Sequence, residues 1–251
     1  MWGSCGTRVL LMIIQTYPDQ ESLSRAAAEL FARQAEEAVK LRSAFSVALA
    51  GGQTPRRTYE ILAQPPFREQ VDWEHLHVFW GDERCVPPQD PRSNARMARR
   101  AWLNHVPLPP SRIHPISCKP NPVAGAREYE ILLRKFCAGT PPCLDLVFLG
   151  LGEDGHTASL FPYHRASEDR EHWTAAVYVP AQSLHRVTLT PAFLNQARVV
   201  AFLVAGAAKA KALQEVLQGP RDTRRLPAQL INPERGELYW LVDREAAGQL
   251  R

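Results

Sequence analysis

Four short polar stretches carry residue types suited to acid–base chemistry and anion binding, and each follows an apolar run. In Gly150-Leu151-Gly152-Glu153-Asp154-Gly155-His156, the histidine is the side chain whose ordinary pKa suits proton transfer near neutrality. A carboxylate close in sequence, Asp154 or Glu153, would fix its tautomer. The surrounding glycines imply a sharp turn with exposed side chains; the plain alternative is a structural histidine in a glycine loop. The run also has G-x-G-x-x-G spacing at Gly150, Gly152 and Gly155, but no early strand–helix–strand placement supports a dinucleotide site. In Gly51-Gly52-Gln53-Thr54-Pro55, two glycines allow close backbone approach to a ligand, Thr54 suits a helix N-cap and Pro55 the first helical position. A helix start after such a turn presents free N–H groups and the positive end of a dipole, which together bind phosphate. Gly81-Asp82-Glu83-Arg84 crowds two carboxylates and a guanidinium. Arg84 would fork onto phosphate oxygens, with the carboxylates orienting it or touching sugar hydroxyls. Gly206-Ala207-Ala208-Lys209 sets a lysine in the first turn of a helix, a misfit with the dipole that a shared anion would relieve. A tight turn, a surface ion pair and a solvent-facing lysine are the plain alternatives for these last three.

Other chemistries lack their residues. Ser159 has no G-x-S-x-G elbow around it, and no Ser-His-Asp set is apparent. The eight histidines are scattered, without H-E-x-x-H spacing, so no metal site is expected. Together the four loops describe phosphate anchors and one general base, able to activate water without a covalent nucleophile.

Elements must hold these loops in place. Strands are expected at Val9–Ile14 (buried), Phe45–Ala50, Leu76–Trp80, Leu144–Leu149, Ala175–Val179, Val187–Thr190, Val199–Val204 and Leu238–Val242. Helical spacing begins at Pro18-Asp19 and runs through Leu23, Ala26, Ala27, Leu30, Phe31, Ala35 and Ala38. Further helices are expected from Thr54-Pro55 through Leu62, from a Ser93 cap through Trp102, over Ala124–Cys137 and over Ala207–Leu217, with Pro107–Pro122 as loop. Gly81–Gln89 is expected to be a polar loop. Strand and helix alternate almost throughout, which predicts an α/β fold: one domain over residues 1–251, with a mainly parallel, Rossmann-like sheet flanked by helices. In such sheets ligands sit at the carboxyl ends of strands, where all four loops fall.

Composition is that of an ordinary globular chain of 251 residues, 45% apolar and 22% charged. The net charge of +4 is mild and spread along the chain, which fits an anionic small substrate at least as well as nucleic acid. No dense basic stripe is interleaved with aromatics, so no nucleic-acid partner is expected, and Arg221–Arg225 reads as a solvated basic loop. No apolar run approaches membrane-spanning length, and Val9–Ile14 is too short for a signal core, so no membrane association is expected. The five cysteines (Cys5, Cys85, Cys118, Cys137, Cys143) are odd in number and lack C-x-x-C spacing. They argue against a disulfide framework or zinc knuckle and for a reducing compartment, hence a cytoplasmic protein.

The same loops carry a resemblance. Ala50–Pro55, Phe79-Trp80-Gly81-Asp82-Glu83-Arg84-Cys85-Val86-Pro87, Ser93-Asn94 and Leu149–Pro162, with its GLGEDGHTASLFP run, resemble the 6-phosphogluconolactonase family. Arg186-Val187-Thr188-Leu189-Thr190 and Gly206–Lys209 extend the match in the same order, from about Gln15 to near the C-terminus. The resemblance implies a fold of the glucosamine-6-phosphate deaminase/ribose-5-phosphate isomerase type. It implies hydrolysis of 6-phospho-D-glucono-1,5-lactone in the oxidative pentose phosphate pathway, with no cofactor and a phosphorylated sugar lactone as the partner molecule, by a monomer or small homo-oligomer. On that reading His156 is the base and Asp154 orients it, while backbone N–H groups of the glycine turn stabilise the oxyanion. Arg84, Arg186, Lys209 and the turn of Gly51, Gly52, Gln53 and Thr54 hold the phosphate. Asp82 and Asn94 join the substrate-binding set, although for them and for Glu83 substrate contact and loop scaffolding both fit. Two positions depart from the family pattern: Gln53 stands where serine is usual, and Tyr163 where glycine is usual. A deaminase on the same fold would show an Asp-Glu-Tyr loop and a GHIAFNEP-like continuation, unlike Asp82-Glu83-Arg84 and His156–Pro162. A non-catalytic sugar-phosphate sensor would need no base, so the His156 loop argues against it.

Overall fold

The computed structural model describes residues 11–138, 143–233 and 235–251. Cys5 and the start of the strand expected at Val9 lie outside them. The strands, in chain order, are β1 (Leu11–Tyr17), β2 (Phe45–Leu49), β3 (Leu76–Trp80), β4 (Asp82–Arg84), β5 (Leu146–Leu149), β6 (Thr174–Val179), β7 (Leu184–Leu189), β8 (Val199–Val204) and β9 (Glu237–Asp243). The helices are α1 (Gln20–Arg42), α2 (Gln53–Leu62), α3 (Phe67–Gln70), α4 (Asn94–Ala98, running into a π turn over Arg99–Leu103), α5 (Pro122–Phe136), α6 (Pro191–Leu194) and α7 (Ala210–Gln218).

Six strands pair in parallel in the order β1-β9-β8-β5-β2-β3, the mainly parallel sheet expected from the alternation. β4, β7 and β6 form a second, antiparallel sheet in the order β4-β7-β6. That sheet was not foreseen: Asp82–Arg84 has no apolar alternation and becomes a strand only because Asp82, Glu83 and Arg84 pair with Thr188, Val187 and Arg186. β1 was expected to be buried, and this is corrected. Among the described residues it is an edge strand paired only with β9, and its Met12 and Ile14 are about half exposed.

Local chemistry sets most boundaries. Asp19 caps α1, its carboxylate accepting the Ser22 N–H at 2.7 Å, and the helix buries Leu23, Ala27, Leu30, Phe31, Ala35 and Ala38 of the predicted stripe, leaving Ala26 half-buried at its edge. Ser93 caps α4 as expected, accepting the Arg96 N–H at 3.1 Å. Thr54 is not the cap of α2. Gly52, at φ 105°, turns the chain two residues earlier, so helix begins at Gln53 and Pro55, which has no N–H, still falls in the first turn, where an N–H would have no partner within the helix. One apolar cluster joins both sheets and the helices, with Trp80, Trp102, Trp240, Phe31, Phe45 and Phe148 fully buried. Each such side chain contributes about 1.5–3 kcal/mol by leaving water.

The cysteine reading is also corrected. Cys85 is bonded to Cys118 across 33 positions, at 2.07 Å between sulfurs, and Cys137 to Cys143. Spacing along the chain gave no sign of this, because the segment before α5 folds back to bring Cys118 beside the residue after β4. The cysteine pattern therefore carries no argument for a reducing compartment. Among the described residues no helix is long and apolar enough to cross a membrane.

Candidate functional site

The four loops follow β2, β3, β5 and β8, which are neighbours in the order β8-β5-β2-β3. From β2 the chain moves outward to β3, and from β5 it moves the other way to β8 and β9, so the site lies where the winding reverses. β2 and β5 pair only through Val47↔Leu146 and Ala48↔Val147, and their ends part above that point.

In the loop after β5, Asp154 Oδ1 accepts from His156 Nδ1 at 2.5 Å and from the His156 backbone N–H at 3.1 Å. A carboxylate on Nδ1 places the proton there and leaves Nε2 with its lone pair. Asp154 rather than Glu153 makes this contact; Glu153 faces Lys209, with Oε1 3.7 Å from Nζ. Burial alone would raise the Asp154 carboxyl, but the hydrogen bonds and charge of His156 outweigh it and hold the group below its ordinary value. The imidazole leans on Phe161, with ring centroids 4.4 Å apart. A Cβ on Gly152 would collide with the imidazole and with the Asp154 carboxylate, so only glycine fits beneath the pair. The Gly152 N–H is bonded to the His156 carbonyl and the Gly155 N–H to the Gly152 carbonyl. These two donors, expected to face an oxyanion, are engaged inside the turn.

A buried chain of contacts joins this loop to the others. Gly51 lies against the Asn94 side chain, closely enough that a Cβ would displace it. Asn94 Nδ2 donates to the Asp82 carbonyl at 2.9 Å and to Asp82 Oδ1 at 3.0 Å. Asp82 Oδ2 accepts from Ser159 Oγ at 2.6 Å and faces Arg186 Nη1 at 3.5 Å. Arg186 Nη2 donates to Gln182 Oε1 at 2.6 Å, and its guanidinium lies 5.4 Å from the centre of the Phe161 ring that also touches His156. Arg186 is 5% exposed, and burial draws its guanidinium below the ordinary value against the pull of Asp82. Asp82, Asn94 and Arg186 thus tie the loops together from beneath.

Glu83 belongs to this framework too. Its carboxylate accepts the N–H groups of Arg84, Asn94 and Ala95, each at 2.7 Å, and Ser93 Oγ at 3.0 Å. It therefore anchors β4 to the start of α4. Burial raises its pKa, with the three N–H bonds pulling the other way. Arg84 is half-buried, one guanidinium nitrogen donating to the Arg92 carbonyl at 2.7 Å. Gln53 is exposed at the start of α2, whose first turn has neither an acidic residue nor a side-chain cap. Lys209 sits in a 3-10 turn just before α7, rather than in its first turn. Asp243 was missed: both its carboxylate oxygens accept the Gly206 N–H at 3.0 Å, holding the lysine turn. Its only trace in the sequence is an acid ending the apolar run Leu241-Val242. Ser159, set aside as a nucleophile, is the link between Asp82 and Arg186. Among the described residues no group of three or more His, Cys, Asp or Glu side chains converges as a metal site.

Residues 18–240 match the family model described as glucosamine-6-phosphate isomerases/6-phosphogluconolactonase. The 6-phosphogluconolactonase of Nostoc sp. is 39% identical over 241 residues, covering 94% of this chain and 98% of that one. That of Synechocystis sp. is 44% identical over 219 residues, with coverages of 86% and 88%. The solved 6-phosphogluconolactonase from Trypanosoma brucei superposes with a TM-score of 0.82 at 28% identity, covering 96% of this chain and all (100%) of its own. A monomeric glucosamine-6-phosphate deaminase, 23% identical with a TM-score of 0.82, shares the fold.

Proposed function

Because the chain belongs to the glucosamine-6-phosphate isomerase/6-phosphogluconolactonase family, we propose that it hydrolyses 6-phospho-D-glucono-1,5-lactone to 6-phosphogluconate, in the oxidative pentose phosphate pathway, with water activated by His156. The observation that carries this reading is the Asp154–His156 pair at the carboxyl end of β5, with no hydrogen bond to Nε2 among the described residues, on the loop whose Glu153 faces Lys209.

Nε2 takes a proton from water as the water oxygen attacks the lactone carbonyl carbon. The carbonyl oxygen becomes negative in the tetrahedral intermediate. On collapse, the bond to the ring oxygen breaks and that oxygen collects the proton from His156, which returns to its starting state. Asp154 keeps the Nδ1 proton in place and stabilises the transient imidazolium. Arg84, Lys209 and the uncapped start of α2 over Gly51–Thr54 bind the phosphate, away from the reacting carbon. Binding a remote group accelerates the reaction when it fixes the reacting centre in place. Asp82, Asn94 and Arg186 hold these anchors in register.

The test is to generate the phosphorylated lactone enzymatically from glucose 6-phosphate and follow its loss against the spontaneous rate. Acceleration is expected from the wild type, and His156→Ala is expected to lower kcat about 10²–10⁴-fold while remaining folded. No acceleration by folded wild type would refute the reaction. Full activity in His156→Ala would refute the base.

A further inference from the structure

Two tyrosines that line neither the base nor the anchors make the same contact. Tyr59, on α2, is fully buried; its hydroxyl donates to the Ala50 carbonyl at 3.0 Å and accepts the Ala50 N–H at 2.9 Å. Tyr129, on α5, is also buried; its hydroxyl donates to the Trp80 carbonyl at 3.2 Å and accepts the Trp80 N–H at 2.9 Å. Ala50 and Trp80 immediately precede Gly51 and Gly81, the first residues of two site loops.

The sheet explains why these residues need such partners. β2 pairs with β3 as far as Leu49↔Trp80, but with β5 only as far as Ala48↔Val147. Where β2 and β5 part, the backbone of Ala50 has no ladder to join. Trp80 ends β3, the outermost strand of its sheet, and among the described residues the isolated bridge Val78↔Ile113 on its far side stops short of Trp80. A buried peptide group without a partner costs about 1–3 kcal/mol, and one neutral hydroxyl can satisfy both its N–H and its C=O. Burial pushes both phenols well above their ordinary range, so each keeps the proton it donates. The ring of Tyr59 is itself fixed by stacking on Trp102, with centroids 5.7 Å apart.

We infer that Tyr59 and Tyr129 are positioning residues for the phosphate end of the substrate: the Tyr59 hydroxyl sets the Gly51–Thr54 turn, and the Tyr129 hydroxyl sets the Gly81–Arg84 loop. The inference rests on the reading of those loops as phosphate anchors. His156 lies on the separate loop after β5, so loss of either hydroxyl weakens substrate binding and leaves the chemical step intact.

Tyr59→Phe and Tyr129→Phe remove one oxygen each and keep the packing. Wild type, both variants and the remote core variant Phe193→Leu are assayed with the phosphorylated lactone and with unphosphorylated glucono-1,5-lactone, alongside thermal melts. Each tyrosine variant is expected to raise KM for the phosphorylated lactone about 3–10-fold, the scale of one or two lost hydrogen bonds, with kcat unchanged. Neither is expected to alter kcat/KM for the unphosphorylated lactone, and Phe193→Leu is expected to lower Tm without changing KM for either. An unchanged KM, or equal losses on both lactones, overturns the positioning role while wild-type activity keeps the proposed reaction standing. A wild type that accelerates neither lactone overturns both.

Discussion

The Asp154–His156 contact makes a specific demand on the carboxylate: it must accept from Nδ1 so that Nε2 remains basic. An amide at position 154 can offer its NH₂ group to Nδ1 instead, which favours the opposite tautomer. Asp154→Asn is therefore expected to lower kcat by about 10²-fold or more, with KM little changed, as read by steady-state kinetics. Equal kinetics in the two proteins would remove Asp154 from the orienting role. Tyr163 also acquires a physical meaning. It sits at φ 58°, in the left-handed region, with its N–H donating to the Arg224 carbonyl at 2.7 Å and its side chain 66% exposed. That is a backbone suited to the glycine that the resemblance leads one to expect at this position. Because the exposed ring adds little packing, Tyr163→Gly is expected to be more stable than Tyr163→Ala by about 1 kcal/mol, measured by chemical denaturation. The reverse order would show that the left-handed conformation is not kept in solution.

At the scale of elements, β4 is three residues long and is held by side chains as much as by its ladder. Glu83 accepts from Arg84, Asn94, Ala95 and Ser93 at once, so truncating it strands buried donors and uncaps α4. Glu83→Ala is expected to cost about 3 kcal/mol in denaturant unfolding. Because β4 also presents Arg84, KM for the phosphorylated lactone should rise as well. A loss of stability with KM unchanged would mean that Arg84 does not bind the phosphate. The same logic explains the glycine at 51. Its missing side chain is the space that Asn94 occupies, and Asn94 in turn fixes Asp82.

Across the whole molecule, a histidine pair far along the chain from His156 couples stability to pH. His77, on β3, and His114 stack with centroids 5.3 Å apart, Nδ1 of His77 lying 3.0 Å from Nε2 of His114. The Arg112 guanidinium contacts the other nitrogen of His77, and Phe79 and Phe136 pack on the pair. With Arg112 donating to one nitrogen and His114 receiving from the other, His77 has no place for a second proton. Burial first, then the charges of Arg112 and His114, pull His77 down to about 4. Burial and Arg112 lower His114 as well. In the unfolded chain each titrates near 6.5. Between about 4 and 6.5 the unfolded state thus binds more protons, so the contribution of the pair to stability is present above that window and is lost as pH falls through it. Denaturation midpoints are expected to drop between pH 6.5 and 4, and His77→Gln should flatten the slope. An identical slope in the variant would exclude His77 as its source.

What could be read from the chain alone is what depends on local spacing. The helical stripe of α1, the caps Asp19 and Ser93, the bounds of β3 and β8, and the position of each polar loop after a strand all follow from periodicities and turn chemistry within about a dozen residues. His156 and the basic residues of the loops stand out in the sequence as candidates because chemistry at a strand end needs few residue types. Strand order, by contrast, depends on pairings between distant segments. Only the tertiary structure could show that the loops after β8, β5, β2 and β3 are neighbours, that Asp82–Arg84 becomes a strand against β7, or that Cys85 meets Cys118. Only it could separate Asp154 from Glu153 as the partner of His156, or show that Arg186 is buried against Asp82, Ser159 and Gln182. The reason is physical: a buried hydroxyl such as that of Tyr59 or Ser159, and a buried acid such as Asp243 or Glu83, take their roles from whichever backbone or charge the fold places within about 3 Å of them.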